Sequence, residues 1–203
     1  MSAPLQALAL VCTLKPSPAP SSSALIADQV LDALAAHDVA GESVRIADFD
    51  IRPGVSTDEG EGDQWPQIRR RVLDADIVVL STPTWMGHLS SIAQRVLERL
   101  DAELSTTDDA GRPAMFGKVG VAAIVGNEDG AHKIAADTFQ ALDDVGFTIP
   151  AQGCTYWNGE AMVGVDYNDL TETPDAVRKT TQTLARNAAH LAALLRAQNY
   201  PAG

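Results

Sequence analysis

Basic residues, cysteines and long apolar runs are all scarce in this 203-residue chain. Lysine and arginine number 15 against 27 aspartates and glutamates, and the net charge of −12 repels phosphate backbones and anionic lipid. Nucleic acid and membranes are therefore not expected as partners. No apolar run reaches the roughly 20 residues of a spanning helix, so membrane insertion is not expected either.

The two cysteines, Cys12 and Cys154, lie far apart and form no CxxC pair. The N-terminus has neither the basic region nor the long apolar stretch of a secretory signal. Both features favour a reducing, cytoplasmic setting. The four histidines are scattered without HxxxH or CxxH spacing, so no metal site is predicted.

Three apolar runs without polar alternation predict central parallel strands that helices cover on both faces: residues 7–12, 77–80 and 119–125. The segments between and after the predicted strands place apolar or small residues at helical spacing, namely Ile26, Val30 and Leu34; Ile92, Val96 and Leu100; Ile134, Thr138 and Leu142; Val177, Leu184 and Leu191. With 45% hydrophobic residues and no linker, we expect a single domain over residues 1–203.

Two further candidate strands have the character of sheet edges. Residues 42–49 carry charges among their apolar positions, and residues 147–157 contain Pro150, which has no backbone donor. Strands that alternate with helices indicate βαβ units. The predicted fold is therefore α/β, a flavodoxin-like, doubly wound, five-stranded parallel sheet in the order 2-1-3-4-5.

In that fold the loops after the first, third and fourth strands converge at the carboxyl edge of the sheet. The first loop, residues 13–23, contains no glycine, which excludes the GxGxxG and GxxxxGK[ST] phosphate loops. It also has none of the acidic residues of a phosphoacceptor receiver. Its Thr13, Lys15 and three serines at a helix start suit a phosphate monoester. The alternative is that Ser21 merely caps the helix.

The second loop, residues 81–90, contains the sequence TPTWMG. Pro83 and Gly87 predict a tight turn that exposes Trp85 and Met86, an aromatic face beside a thioether, to a planar ligand. The alternative is that both side chains pack over the end of the sheet.

The third loop, residues 126–132, contains two glycines and Asn127, which permit close backbone approach to the edge of a ring. The alternative is a plain turn in which Asp129 caps the next helix. Glu128 and Asp129 would oppose an anionic ligand, so we expect both to face solvent.

These loops resemble those of the flavodoxin-like NADPH-dependent FMN reductases and their quinone-reducing relatives, over about residues 5–195. TPTWMG is similar to that family's TPxYxG or TPTWxG ring-binding loop. TLKPSPAPSSSALIA, residues 13–27, is similar to its GSPRxxGNTxxL phosphate loop, from which it departs by lacking glycine and alternating three prolines. The resemblance implies a set of cofactor-binding residues: Thr13, Lys15, Ser22 and Ser23 for the phosphate, and Pro83, Thr84, Trp85, Met86, Gly87, Gly126, Asn127, Gly130 and Ala131 for the ring.

The resemblance also implies an activity. FMN would accept hydride from NADPH or NADH and pass electrons to a flavin, quinone or similar small acceptor, without a catalytic side chain or a metal. We expect a homodimer or homotetramer. The long polar segment at 158–174 is expected to border a substrate pocket, with Tyr156 and Trp157 at one side. Two alternatives stay open: a flavodoxin-type electron carrier, and a flavin-free interaction module.

Overall fold

The computed structural model describes residues 3–202, which form a parallel sheet between two layers of helices. The elements follow in chain order: β1 (Leu5–Val11), α1 (Ser22–Ala35), β2 (Val39–Arg45), α2 (Trp65–Asp74), β3 (Ile77–Trp85), β4 (His88–Leu89), α3 (Ser91–Leu100), β5 (Val119–Gly126), α4 (Ala131–Asp144), β6 (Cys154–Asn158) and α5 (Asp175–Ala197). None of the helices in this described part is long and apolar enough to cross a membrane.

The main sheet runs in the order β2-β1-β3-β5-β6, and every neighbouring pair is parallel. The predicted flavodoxin-like order is confirmed, with the short strand β4 added beside β3. The predicted bounds of the two edge strands, residues 42–49 and 147–157, differ from the observed ones. The second strand begins earlier than residue 42 and gives way to a 3-10 turn at Ile46, and the last begins only at Cys154, so Pro150 lies before it.

Side chains along the central strands alternate between two cores. In β1, Ala7 and Ala9 pack with α1 and α5, whereas Leu8 and Leu10 pack with α2 and α3. Because both faces are covered, an alternating polar pattern is absent from these strands. Cys12 is fully buried in the second core, as expected of a packing residue.

Helix α2 was missed by the sequence analysis. Its buried face consists of Trp65, Ile68 and Val72, at helical spacing, and a proline occupies its first turn. Three consecutive arginines, residues 69–71, interrupt the apolar pattern and conceal this face. One of them, Arg69, pairs with the fully buried carboxylate of Glu103.

A buried ion pair organises the long connection from β2 to α2. Arg99 of α3 donates to the Asp63 carboxylate at 2.8 Å and to the carbonyl oxygen of Arg52 at 2.9 Å. Both charged side chains are fully buried. Burial raises the pKa of Asp63, but hydrogen bonds from Arg99 and the backbone N–H groups of Glu59, Trp65 and Arg52 outweigh it and leave this pKa far below its usual range.

The segment predicted as a loop at 81–90 is instead a β-hairpin. Strand β3 continues through Pro83 to Trp85 and turns back into β4. Proline is tolerated there because pairing with β1 ends at Ser81, which leaves one edge of β3 free. Met86 and Gly87 have φ values of 53° and 74°, the pattern of a type I′ turn.

Candidate functional site

A cleft opens at the carboxyl edge of the sheet, where the three predicted loops converge. Its walls come from the first loop, the end of β3, the loop after β5, the end of β6 and a turn before α5. The residues that line it are Thr13, Leu14, Lys15, Pro20, Ser21, Ser22, Ser23, Pro83, Thr84, Trp85, Val125, Gly126, Asn127, Trp157, Asp166, Tyr167 and Asn168. Nine of the thirteen predicted cofactor-binding residues are among them.

The glycine-free first loop is shaped by residues at the end of β2. Arg45 donates to the carbonyl oxygens of Pro16 and Ala19, at 3.2 and 2.6 Å. Asp48 accepts from the backbone N–H and the hydroxyl of Ser17, and these bonds hold the pKa of Asp48 below its usual value. Neither contact is predictable from the local sequence, because the partners lie 26 to 31 residues apart. Side-chain anchors therefore give this loop its shape without glycine.

The N-terminus of α1 faces the cleft with free donors. Ser21 caps the helix by accepting from the Ala24 N–H at 3.2 Å, which is the helix-capping role given as the alternative for this loop. The backbone N–H groups of Ser22 and Ser23 have no acceptor within residues 3–202. Lys15 is exposed and forms no ion pair with the described side chains. Together these groups form a positive end of the cleft that suits an anion.

Thr84 presents a buried hydroxyl without a partner. The residue is only 4% exposed, it lines the cleft, and its Oγ1 has no hydrogen bond within the described chain. Gly126 packs against it so closely that a Cβ there would lie 2.6 Å from the Thr84 Cβ. Since buried polar groups are nearly always hydrogen-bonded, Thr84 has a bond available for a ligand.

The β3–β4 hairpin brings an aromatic ring to the cleft. Trp85 lines the cleft with 54% of its surface exposed, whereas Met86, 84% exposed, does not line it. Gly87 and Gly130 also lie outside the lining and contact each other, because a Cβ on Gly130 would lie 2.8 Å from the Gly87 Cα. Ala131 is buried in the core beside Ile134.

For the acidic residues of the third loop, the expectation for Glu128 is wrong and the alternative for Asp129 is not observed. Glu128 is half-buried, and its carboxylate accepts the Met86 N–H at 2.7 Å instead of facing solvent. Asp129 is exposed as expected, but it does not cap α4, because the N-cap position is Gly130 and no side chain caps the helix.

The polar segment before α5 borders the cleft, as expected. Asn127 donates to the Asp166 carboxylate at 3.1 Å, and the Asn168 N–H donates to the Ser22 hydroxyl at 3.3 Å. Tyr167 is buried and donates to Gln29 of α1 at 2.7 Å. Burial raises the pKa of Tyr167, so its hydroxyl stays protonated as a donor. These contacts tie the segment to both the anion-binding end and the third loop.

The arrangement can hold a ligand that is anionic at one part and planar at another. The anionic part matches the N–H groups and Lys15, and the planar part matches the Trp85 ring and the Thr84 hydroxyl. In residues 3–202 no three His, Cys, Asp or Glu side chains gather as metal ligands would.

Comparison with known proteins places the chain among flavin-related sequences. The 8-demethyl-8-aminoriboflavin-5'-phosphate synthase of Streptomyces davaonensis is 29% identical over 206 residues, which cover 97% of this chain and 80% of that protein. The crystal structure of RosB with its bound intermediate, 8-demethyl-8-formylriboflavin-5'-phosphate, has a TM-score of 0.87 and 28% identity, and the match covers 97% of this chain and 82% of RosB.

A second relative is much longer than this chain. The divalent metal cation transporter MntH of Mycobacterium bovis is 38% identical over 200 residues, which are 95% of this chain but only 29% of that protein. The chain thus spans less than a third of this relative. The sequence profile of the family described as NADPH-dependent FMN reductase matches residues 6–161, which is most of the chain. The chain therefore belongs to the NADPH-dependent FMN reductase family.

Proposed function

We propose that the cleft binds FMN and that the chain is an oxidoreductase that passes hydride from NADH or NADPH to a quinone, free flavin or similar small acceptor. The observation that carries this proposal is that Thr84, whose buried hydroxyl has no partner among the described residues, lines the same cleft as the donors of α1 and the exposed Trp85 ring. Polar donors and a flat aromatic wall within one cleft match the two parts of FMN.

The phosphate of FMN fits the N-terminus of α1. The free N–H groups of Ser22 and Ser23 and the Lys15 ammonium are all donors, and charge-assisted bonds to a dianion are stronger than neutral ones. The Ser21 hydroxyl already caps the helix by accepting from the Ala24 N–H. The Ser22 hydroxyl already accepts from Asn168, and its own proton stays available to an oxygen of the phosphate.

The ring of FMN fits the part of the cleft that Trp85, Thr84 and Gly126 form. Trp85 offers an aromatic face that excludes water, Thr84 offers a hydroxyl, and Gly126 has no side chain to obstruct the cleft. Bound FMN would supply the hydride-accepting ring, so these residues have only to bind and orient it.

An enzyme is favoured over a one-electron carrier by the extra wall of the cleft. The turn that contains Asp166, Tyr167 and Asn168 is anchored to α1 and to the third loop by hydrogen bonds. A carrier must expose the edge of its ring to a protein partner, whereas a hydride-transfer enzyme needs an enclosed space for small molecules. This anchored turn adds a wall to the cleft, which supports the enzyme.

A second candidate function treats riboflavin 5'-phosphate as a substrate that is altered and released. The resemblance to the Streptomyces davaonensis synthase and to RosB with its bound flavin intermediate supports it. Incubation of the protein with FMN and NAD(P)H, followed by mass spectrometry of the recovered flavin, separates the two functions. Unchanged flavin mass with continued NAD(P)H oxidation supports FMN as a cofactor.

Titration of the ligand-free protein with FMN and with riboflavin tests the binding site. FMN is expected to bind far more tightly, because only FMN satisfies the donors of α1 and Lys15. The variant Lys15→Ala should lose much of this preference, whereas Lys179→Ala, at an exposed lysine on α5, should keep it. Equal affinity for FMN and riboflavin in the unaltered protein would contradict the proposed phosphate site.

A further inference from the structure

The hairpin that carries Trp85 has little strand pairing at its tip. Strand β4 has two residues, and only two pairs join it to β3, Thr84 with Leu89 and Trp85 with His88. Strand β3 is held in the main sheet by its pairing with β5, but this pairing ends at Pro83, before the turn. The turn adds strain, because Met86 adopts a left-handed φ of 53° that is unfavourable for a residue with a side chain.

Few contacts hold the turn in place. The Met86 side chain is 84% exposed, so it contributes little packing. Its backbone N–H donates to the Glu128 carboxylate at 2.7 Å, and Gly130 packs against Gly87. Both contacts come from the loop after β5. A hydrogen bond from an N–H to a carboxylate is stronger than one between neutral groups, so Glu128 makes the one charge-assisted contact to this turn among the described residues.

The position of this carboxylate is unfavourable for binding an anion. Glu128 lies two residues after Gly126, which lines the cleft, and in a chain of net charge −12 it adds further negative charge there. Its neighbour Asp129 is exposed and has no hydrogen bond to the hairpin within residues 3–202. A carboxylate at position 128 is thus explained by its bond to the hairpin turn and not by attraction to a ligand.

We propose that Glu128 is a positioning residue that holds the β3–β4 turn against the third loop and so fixes the Trp85 ring as a wall of the cleft. The contact joins two residues of this chain. Its consequence for FMN affinity rests on the proposed function, whereas its consequence for the hairpin does not.

Amide hydrogen exchange in the ligand-free protein tests the hairpin directly. Glu128→Ala is expected to speed exchange at the Met86 N–H by about tenfold, the effect of losing one hydrogen bond to a charged group. Glu128→Gln should keep most of the protection, because its amide oxygen still accepts. Asp129→Ala removes the same charge from the adjacent position and should leave exchange unchanged. Unaltered Met86 exchange in folded Glu128→Ala would overturn the proposal.

FMN titration of the same variants tests the consequence for binding. Glu128→Ala should weaken FMN binding, Glu128→Gln should restore most of it, and Glu128→Ala should have little further effect in a Trp85→Ala background, because both changes remove one wall. Tighter binding in both Glu128 variants would show that the carboxylate acts by charge repulsion and would overturn the proposal. If the unaltered protein fails to bind FMN, the proposed function fails, and the exchange result alone decides the role of Glu128.

Discussion

Replacing Trp85 with alanine is expected to weaken FMN binding by about 1–3 kcal/mol. Trp85 is 54% exposed, so a ligand that covers its free surface removes on the order of 100 Å² of apolar area from water. At about 25 cal/mol per Å² this burial contributes roughly 2.5 kcal/mol, within the range for stacking of a base on an aromatic ring. The expected rise in Kd is therefore roughly 5- to 150-fold.

Fluorescence titration of flavin into the ligand-free variant measures this change, and Trp85→Phe is the matched control. Phenylalanine keeps an aromatic face at the same position and should retain most of the affinity. The exposed position of Trp85 predicts a small change in the free energy of unfolding, which urea denaturation checks. A folded Trp85→Ala protein with unchanged FMN affinity would refute the stacking argument and leave Trp85 as a surface residue of the hairpin.

Three further predictions concern the phosphate end, the buried ion pair and the hairpin contact. Lys15→Ala should reduce the preference for FMN over riboflavin by about tenfold, the value of one charge-assisted bond, in parallel titrations of the two ligands. Asp63→Asn should lower the free energy of unfolding by about 3–5 kcal/mol in urea, because it leaves Arg99 buried without its counter-charge. The pKa of Asp63 is lower in the folded than in the unfolded protein, so its contribution to the free energy of unfolding is complete above the unfolded pKa of about 4. This contribution is lost as the pH falls below that value. Asp63→Asn should lack this part of the pH dependence of stability. Gly130→Ala should destabilise the fold by about 1–3 kcal/mol in thermal unfolding, because its Cβ would lie 2.8 Å from Gly87 at a φ of 136°; an unchanged Tm would contradict the close contact.

The strand order was predictable because central parallel strands carry a strong local signal. The runs at 7–12, 77–80 and 119–125 are apolar at nearly every position, which only burial on both faces explains. Helix α2 was not predictable in the same way, since three consecutive arginines separate the apolar positions of its buried face in the sequence. The tight turn before Gly87 was predicted, but the pairing of β3 with β4 around it was not, because Pro83 ordinarily marks the end of a strand. Proline is compatible with β3 only because the pairing with β1 ends two residues earlier, at Ser81. The local sequence does not show where the pairing of two strands ends.

In the cleft, too, features that follow from the strand order were predictable, whereas contacts between residues distant in the sequence were not. Topology alone brings Thr13, Thr84 and Asn127 together, because loops after neighbouring parallel strands meet at one edge. The long-range hydrogen bonds that hold the walls of the cleft could not be predicted. The bond from Ser17 to Asp48 spans 31 residues and that from Asn168 to Ser22 spans 146, and no local pattern specifies either pair. Likewise, the acceptor role of Glu128 depends on a turn 42 residues earlier in the chain.

Anaerobic mixing of the FMN-loaded protein with NADH and with NADPH tests the proposed activity most directly. At least one nicotinamide is expected to remove the visible absorbance of the flavin on the timescale of turnover. Subsequent addition of a quinone or free flavin should restore the absorbance, because donor and acceptor use the same cleft in turn. Failure of both nicotinamides to reduce the bound flavin, in protein that binds FMN in preference to riboflavin, would reject hydride transfer and leave an electron carrier.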